Sequence, residues 1–347
     1  MALIANSSTP GGAESYLYRL YEGLSQQGLV DVTLIGHLPN WPSTMKSLPI
    51  GIAPKLTRRE PILSQVGGII KNALKIRKTL GKESFDLVHM QYFREKLVLP
   101  AFFTRRIPVL WTEHGPVPPN FPALGLPLLK LQASKSTIIA VSEAVRSSLA
   151  ERGLVSQVVW NPLPSSVGRS SARQAGRHSD YVLYAGRVHS SKRINLLLEA
   201  ANKNPNKRFL IAGDGPDLEN LRSCAPSNVS FLGHLPDVSP LMDDCLALVV
   251  VSGRAAREGS PMVVLEARSD GVPVLMASDC HAAEEARELG AHVYAPTAEA
   301  LGEEIGKLGT RIRVDNLTEA QRELRGEERW LRETYNLMAS LSRSTQS

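Results

Sequence analysis

Short apolar runs rich in β-branched residues alternate with amphipathic stretches along nearly the whole chain. This alternation restricts the fold more than any other feature. ALIA (2–5), VTLIG (32–36), DLVHM (86–90), PVLWT (108–112), TIIAV (137–141) and QVVWN (157–161) form a first series. YVLYAG (181–186), RFLIAG (208–213), VSFLG (229–233), LALVVV (246–251), VPVLM (272–276) and AHVYA (291–295) form a second. Helical patterns such as 15–27, 63–80, 143–152 and 194–202 lie between them. Strand and helix in alternation predict parallel sheets with right-handed crossovers. Runs apolar at every position predict sheets covered by helices on both faces.

The alternation pauses at residues 164–179, PSSVGRSSARQAGRHS, a Ser/Gly/Arg-rich stretch with little to bury. It reads as a linker at 165–179 between a domain at 1–164 and a second at 180–327. The 347 residues suit two cores better than one. Helical periodicity resumes near Thr318, with Trp330, Leu331, Tyr335 and Leu337 as packing residues. The helix at about 328–347 is expected to pack back on the first domain. The expected fold class is thus α/β, two Rossmann-like doubly wound parallel-sheet domains facing across a cleft, and the cleft is the default site.

The three cysteines include no CxxC pair and suggest neither a zinc site nor a disulfide framework. The amino terminus lacks the basic and apolar regions of a signal peptide, and no apolar run approaches the ~18 residues that span a bilayer. A cytoplasmic location is the expectation. The formal charge of +6 favours anionic partners without choosing among them.

The segment REGSPMVVLEA (257–267) frames an apolar run with Glu258 and Glu266. It follows the buried-strand pattern LALVVV and the loop SGRAAREG. Ser260 suits an N-cap and Pro261 the first helical position, where its missing N–H costs nothing. The helix would then run MVVLEARSDG and stop at Gly271. Glu258 would then lie at the carboxyl end of a parallel strand, where open α/β sheets bind ligands. The first amides, from about Met262 and Val263, suit a phosphate. Glu266 lies five residues past Pro261, about 7.5 Å along the axis, and leans back toward the amino end. This spacing measures out a sugar nucleotide, with Glu266 on the ribose, the amides on the diphosphate and Glu258 facing the sugar. A capped surface helix with a glutamate at each end satisfies the same pattern.

EGSPMVVLEA followed by GVPVLMAS resembles the E-x7-E signature of the family 4 retaining glycosyltransferases of GT-B fold. PGGAE (10–14) resembles that family's glycine-rich donor loop, TEHG (112–115) its active-site histidine segment, and SEAVRSSL (142–149) a helix near the end of its first domain. AGRVHSSKRINLLLEA (185–200), GDGP (213–216) and VSFLGHLPD (229–237) are similar to its later motifs in the same order. Two departures stand out: Arg193 where the family has glycine after the lysine, and Ser252-Gly253 where it commonly has Pro-Ser.

The resemblance implies that the first domain binds the acceptor and the second the donor, a nucleoside-diphosphate sugar with UDP favoured. Arg187 and Lys192 would stabilise the departing diphosphate, Leu235 would lie at the base, and His114 would help hold the sugar. Gly11 and Gly12 would let backbone approach the diphosphate. Anomeric configuration would be retained. The candidate catalytic residues are Glu258, His114, Arg187 and Lys192. The donor-binding set adds Gly11, Gly12, Leu235, Pro261, Met262, Val263 and Glu266. His89, at a strand end, is an acceptor-side candidate. Glu14 reads as a complement to its helix dipole. The chain has no Asp-x-Asp, and metal-independent chemistry with no cofactor is expected.

The acceptor would be a carbohydrate, a lipid-linked sugar or a small metabolite, and nucleic acid is not an expected partner. Lys71, Lys75 and Lys78 recur at helical spacing, with Arg58 and Arg59 nearby. They read as a solvated face or as peripheral contact with the inner face of a membrane. A dehydrogenase would use Gly213-Asp214-Gly215, but its fingerprint needs glycine where Leu218 stands. A non-catalytic nucleotide-sugar binder would keep Glu266 with less need of Glu258 and His114. An epimerase on this fold would need further acid/base carboxylates, and none is apparent.

Overall fold

The computed structural model describes residues 1–7, 11–50, 62–102, 107–118, 121, 125–164, 181–309 and 317–343. The interdomain stretch from residue 165, Pro10, Arg58 and Arg59 lie outside these residues. The chain divides into two compact units, Met1–Trp160 with Trp330–Ser347, and Asn161–Arg329.

The first unit holds strands β1 (Ala2–Asn6), β2 (Thr33–His37), β3 (Lys46–Leu48), β4 (Val88–Met90), β5 (Val109–Glu113), β6 (Thr137–Ala140) and β7 (Gln157–Val158). They form one parallel sheet in the order β3-β2-β1-β4-β5-β6-β7. The second unit holds β8 (Tyr181–Ala185), β9 (Arg208–Ala212), β10 (Val229–Gly233), β11 (Ala247–Val250), β12 (Val274–Ala277) and β13 (His292–Tyr294). Its parallel order is β10-β9-β8-β11-β12-β13. Counted from its own first strand, the second sheet runs 3-2-1-4-5-6, the doubly wound order, and the first runs the same with a seventh strand, β7, added at its edge. The order reverses between β1 and β4 in one and between β8 and β11 in the other, and ligands bind such sheets at that reversal.

All twelve expected runs form strands, and β3 is an addition. Its sequence, Lys46-Ser47-Leu48, is short, largely polar and on the sheet edge, so it leaves no apolar run to detect. Side chains of one strand divide between two cores. In β1, Leu3 and Ala5 face one cluster while Ala2 and Ile4 face the other. Tyr181 and Leu183 of β8 oppose Val182 and Tyr184 in the same way. That double burial explains the continuous hydrophobicity of the runs.

The helix Glu327–Arg343 buries Trp330, Leu331, Thr334 and Met338 at helical spacing. Its apolar stripe shares a core with the helix Gly12–Gln26 through Tyr16, Leu17, Leu20, Tyr21 and Leu24. The unit boundary falls at Trp160/Asn161, a few residues before the expected position. Asn161 Nδ2 donates to the Ser260 carbonyl (2.9 Å), Leu163 N to the Arg325 carbonyl (2.8 Å), and Ser269 Oγ to the Pro164 carbonyl (3.1 Å). Leu163 also packs with Met262, Leu265, Leu289 and Leu317. Residues 161–164 are thus held by the second unit.

Among the described residues no helix is long and apolar enough to cross a membrane. The helix Ile62–Lys82 buries Ala73, Ile76 and Leu80, while Lys71, Lys75 and Lys78 are exposed beside Ile70 and Leu74.

Candidate active site

In the second unit, the candidate side chains Arg187, Lys192 and Glu258 come from the loops that leave β8 and β11, the two strands at the reversal. After β8 the chain passes Gly186 and Arg187, makes a short 3-10 turn at Ser190–Lys192 and enters the helix Ile194–Lys203. His189 caps the turn, its Nδ1 accepting from Ser191 N at 3.2 Å. After β11 a second 3-10 turn, Arg254–Ala256, leads through Arg257 to Glu258. The two turns pack together and bring Lys192 Nζ onto Glu258 Oε1, residues 66 apart in sequence. The Lys192 side chain is 20% exposed and that of Glu258 23%. Burial, and then the Arg187 charge, lower the Lys192 pKa to about 8. This lysine is a half-desolvated cation able to exchange one anionic partner for another.

A backbone brace fixes the Arg187 loop. Gly186 N donates to the Ala212 carbonyl (2.9 Å) and Val188 N to the Asp214 carbonyl (2.9 Å). A Cβ at Gly213 would stand 1.8 Å from the Gly186 oxygen, and one at Gly215 2.0 Å from the Val188 oxygen. GDGP is therefore glycine-rich so that its backbone can lie against the Arg187 loop. Tyr184 Oη, donating to the Arg187 carbonyl at 3.0 Å, supports the same loop from below.

The helix after Glu258 runs Met262–Ser269, one residue later than expected. Pro261 is the N-cap, with ψ of 121° and no side-chain cap, and Ser260 does not cap. Instead Ser260 Oγ donates to Glu285 Oε1 (2.8 Å), which also takes Arg325 Nη1 (2.5 Å). Burial raises the Glu285 pKa against the opposing pull of Arg325. Ser260 is thus spent on anchoring the segment that leads into the helix. The first intrahelical bond runs from Val264 N to the Pro261 carbonyl (3.0 Å), so the Met262 and Val263 amides precede it. Glu266 is half-buried one turn further on. Leu235, also half-buried, packs against the same core cluster as Val263.

In the first unit, Gly11 caps the helix Gly12–Gln26 with extended backbone. A Cβ at Gly11 would lie 2.9 Å from Glu14 Oε2, whereas one at Gly12 would meet nothing within 4 Å among the described residues. Glu14 is buried and accepts a hydrogen bond from Tyr92 Oη. His114 follows β5, its ring edge-on to Tyr16 at 4.7 Å, and Tyr16 in turn meets Trp330 at 5.1 Å. Its buried Nε2 has no hydrogen-bond partner among the described residues. Burial lowers its pKa to about 3, helped by the charge of Lys96 and the nearness of His89. At neutral pH it is an uncharged imidazole that can give or take a hydrogen bond.

His89 does not line an acceptor surface. It is fully buried, with Nδ1 2.6 Å from Tyr21 Oη and Nε2 2.8 Å from Thr112 Oγ1, and burial lowers its pKa to about 3. The strand ends at Met90, as the run DLVHM implied, and both ring nitrogens of His89 are taken by hydroxyls inside the unit. The residues missed from sequence are Lys96 and Glu113. Lys96 is fully buried and donates to the Thr112 carbonyl (2.7 Å) and to Glu113 Oε1 (2.8 Å), with its amine 5.9 Å from the Trp111 ring centroid. A lysine in the short helix Phe93–Val98, where charged and apolar residues are equally mixed, carried no signal of burial.

The sequence model described as Glycosyltransferase Family 4 matches residues 10–164, and that described as Glycosyl transferases group 1 matches residues 179–310. A phosphatidyl-myo-inositol mannosyltransferase of Propionibacterium freudenreichii subsp. shermanii is 24% identical over 291 residues, covering 78% of this chain and 74% of that protein. Sucrose-phosphate synthase from Thermosynechococcus elongatus superposes with a TM-score of 0.76 at 20% identity, over 99% of each chain. Anabaena HepE in complex with UDP superposes at 0.74 and 18% identity, over 98% of this chain and 99% of that one. The two sequence models cover both halves of the chain in order, and the structures share its pair of parallel-sheet domains. The chain is a glycosyltransferase belonging to family 4, with the GT-B fold.

Proposed function

We propose that the enzyme moves a sugar from a UDP-sugar to a hydroxyl group of a carbohydrate, lipid-linked or small-molecule acceptor, with retention of configuration and without a metal. The observation that carries this reading is the meeting of Lys192 and Glu258 at the strand reversal, beside the amino end of the helix Met262–Ser269. A cation and a carboxylate held there match the two charges that develop in glycosyl transfer, negative on the departing diphosphate and positive on the sugar. That HepE was crystallised with UDP supports the choice of nucleotide.

In this reading the second unit binds the donor. Leu235 lies against the base, Glu266 accepts the ribose hydroxyls, and Pro261 turns the Met262 and Val263 amides to the diphosphate. Arg187 and Lys192 stabilise the phosphate oxygens, as a planar fork and a point charge. The anomeric C–O bond breaks, its electron pair passing to the diphosphate. The acceptor oxygen bonds to the same face and its proton goes to a phosphate oxygen. Glu258 stabilises the cationic sugar, and neutral His114 bonds a sugar hydroxyl without adding charge. Gly11 and Gly12 give backbone access to the phosphates, and the first unit carries the acceptor. The exposed Lys71, Lys75 and Lys78, with Ile70 and Leu74, favour peripheral contact with an anionic membrane face, where a lipid-linked acceptor would reside.

The test is UDP release from a panel of UDP-sugars, with and without added acceptors. Lys192→Ala should lower turnover by roughly 10²–10³. Glu258→Ala should abolish turnover while UDP still binds. Undiminished turnover in Glu258→Ala would remove this carboxylate from the mechanism.

A further inference from the structure

Arg193, directly after Lys192, has left-handed backbone, φ 52° and ψ 39°. A side chain in that region crowds its own carbonyl, and such a residue persists only when its surroundings over-determine it. Here they do. The guanidinium donates from Nε to the Val251 carbonyl (2.9 Å) and, as a two-pronged fork, from Nη1 and Nη2 to the two oxygens of Asp279 (2.9 and 2.7 Å). One side chain thereby ties together three loops, those following β8, β11 and β12.

Gly253 completes the arrangement. Its φ of −98° is open to any residue, so its backbone does not demand glycine. Space does, because a Cβ there would lie 2.6 Å from Arg193 Cζ and 2.9 Å from Asp279 Oδ2. The two departures noted in the sequence, arginine at 193 and glycine at 253, are one feature: the second makes room for the first. Five residues beyond Gly253 stands Glu258, the partner of Lys192.

We infer that Arg193, locked by Asp279 over Gly253, is a positioning residue that holds the Lys192 loop in register with the Glu258 loop. The inference rests on the proposed roles of Lys192 and Glu258 for its effect on turnover, but not for its effect on the lysine itself. The clamp and the pair share one short stretch of backbone on each side, Lys192–Arg193 and Gly253–Glu258. Loosening the fork therefore frees the amine from the carboxylate.

Arg193→Gly tests this directly, since glycine keeps the left-handed backbone and removes only the fork. Gly253→Ala attacks the same fork from the opposite side, with a backbone that alanine tolerates. In both, kcat should fall roughly 10- to 100-fold with the donor KM little changed. Asp279→Asn should add nothing further to Arg193→Gly. A second readout needs no catalysis: reductive methylation of Lys192, followed by mass spectrometry of the digest, should become several-fold faster in Arg193→Gly and Gly253→Ala. Faster labelling from an enzyme inactive with every UDP-sugar would keep the clamp and overturn the proposed function. Unchanged labelling would overturn the clamp even if kcat fell, and so would unchanged kcat in an active enzyme.

Discussion

Replacing Lys96 with methionine removes one half of an ion pair whose side chains are 0% and 6% exposed. The remaining carboxylate of Glu113 would be left buried without its cation, and breaking such a pair costs about 3–5 kcal/mol. Spread over a unit of this size, each kcal/mol moves Tm by about 2–4 °C, so the first unit should melt roughly 6–20 °C lower. All four tryptophans (Trp41, Trp111, Trp160 and Trp330) lie in that unit, and their fluorescence during urea unfolding therefore reports on it alone. Glu113→Leu alone should be similarly damaging. Lys96→Met with Glu113→Leu leaves no unpaired charge and should recover about 2 kcal/mol or more relative to the sum of the singles. Strictly additive losses, or singles costing under about 1 kcal/mol, would refute the argument that this pair is mutually dependent. The same substitution lifts a repelling charge from His114, so the acid limb of kcat/KM should move to higher pH in Lys96→Met.

His89 and His114, both held near pKa 3, take up protons on unfolding that the folded protein refuses between about pH 6.5 and 3. Stability of the first unit should therefore fall as pH drops below about 6.5, by about 1.4 kcal/mol per pH unit for each histidine, and urea midpoints measured across that range in His89→Gln should show a slope shallower by one such step. In the second unit, Gly213→Ala places a methyl 1.8 Å from the Gly186 oxygen at φ +148° and should cost about 2–5 kcal/mol, lowering the circular dichroism melt and weakening UDP binding through the displaced Arg187 loop. An unaltered melt would show that GDGP is not the brace described.

What the sequence disclosed follows from what is local. Continuous apolar runs recorded strands covered on both faces, and the order of motifs recorded the doubly wound connectivity. The position of Glu258 after β11 and the helix behind it were legible because caps, proline and strand ends act within a few residues. The failures are pairs far apart in the chain. Ser260 looked like a cap, but its hydroxyl is taken by Glu285, 25 residues on, a carboxylate that Arg325 also holds. His89 looked like a surface residue because nothing nearby announced Tyr21 and Thr112. Arg193 looked like a lapse from the family pattern, because its justification lies at Asp279, 86 residues on. β3 escaped because an edge strand of lysine, serine and leucine need bury almost nothing.

The most direct check is the structure of crystals soaked with UDP. The diphosphate should rest on the Met262 and Val263 amides within reach of Lys192 and Arg187, with both ribose hydroxyls on Glu266. A diphosphate bound away from that helix, or a ribose that leaves Glu266 untouched, would contradict the account of how this enzyme holds its donor.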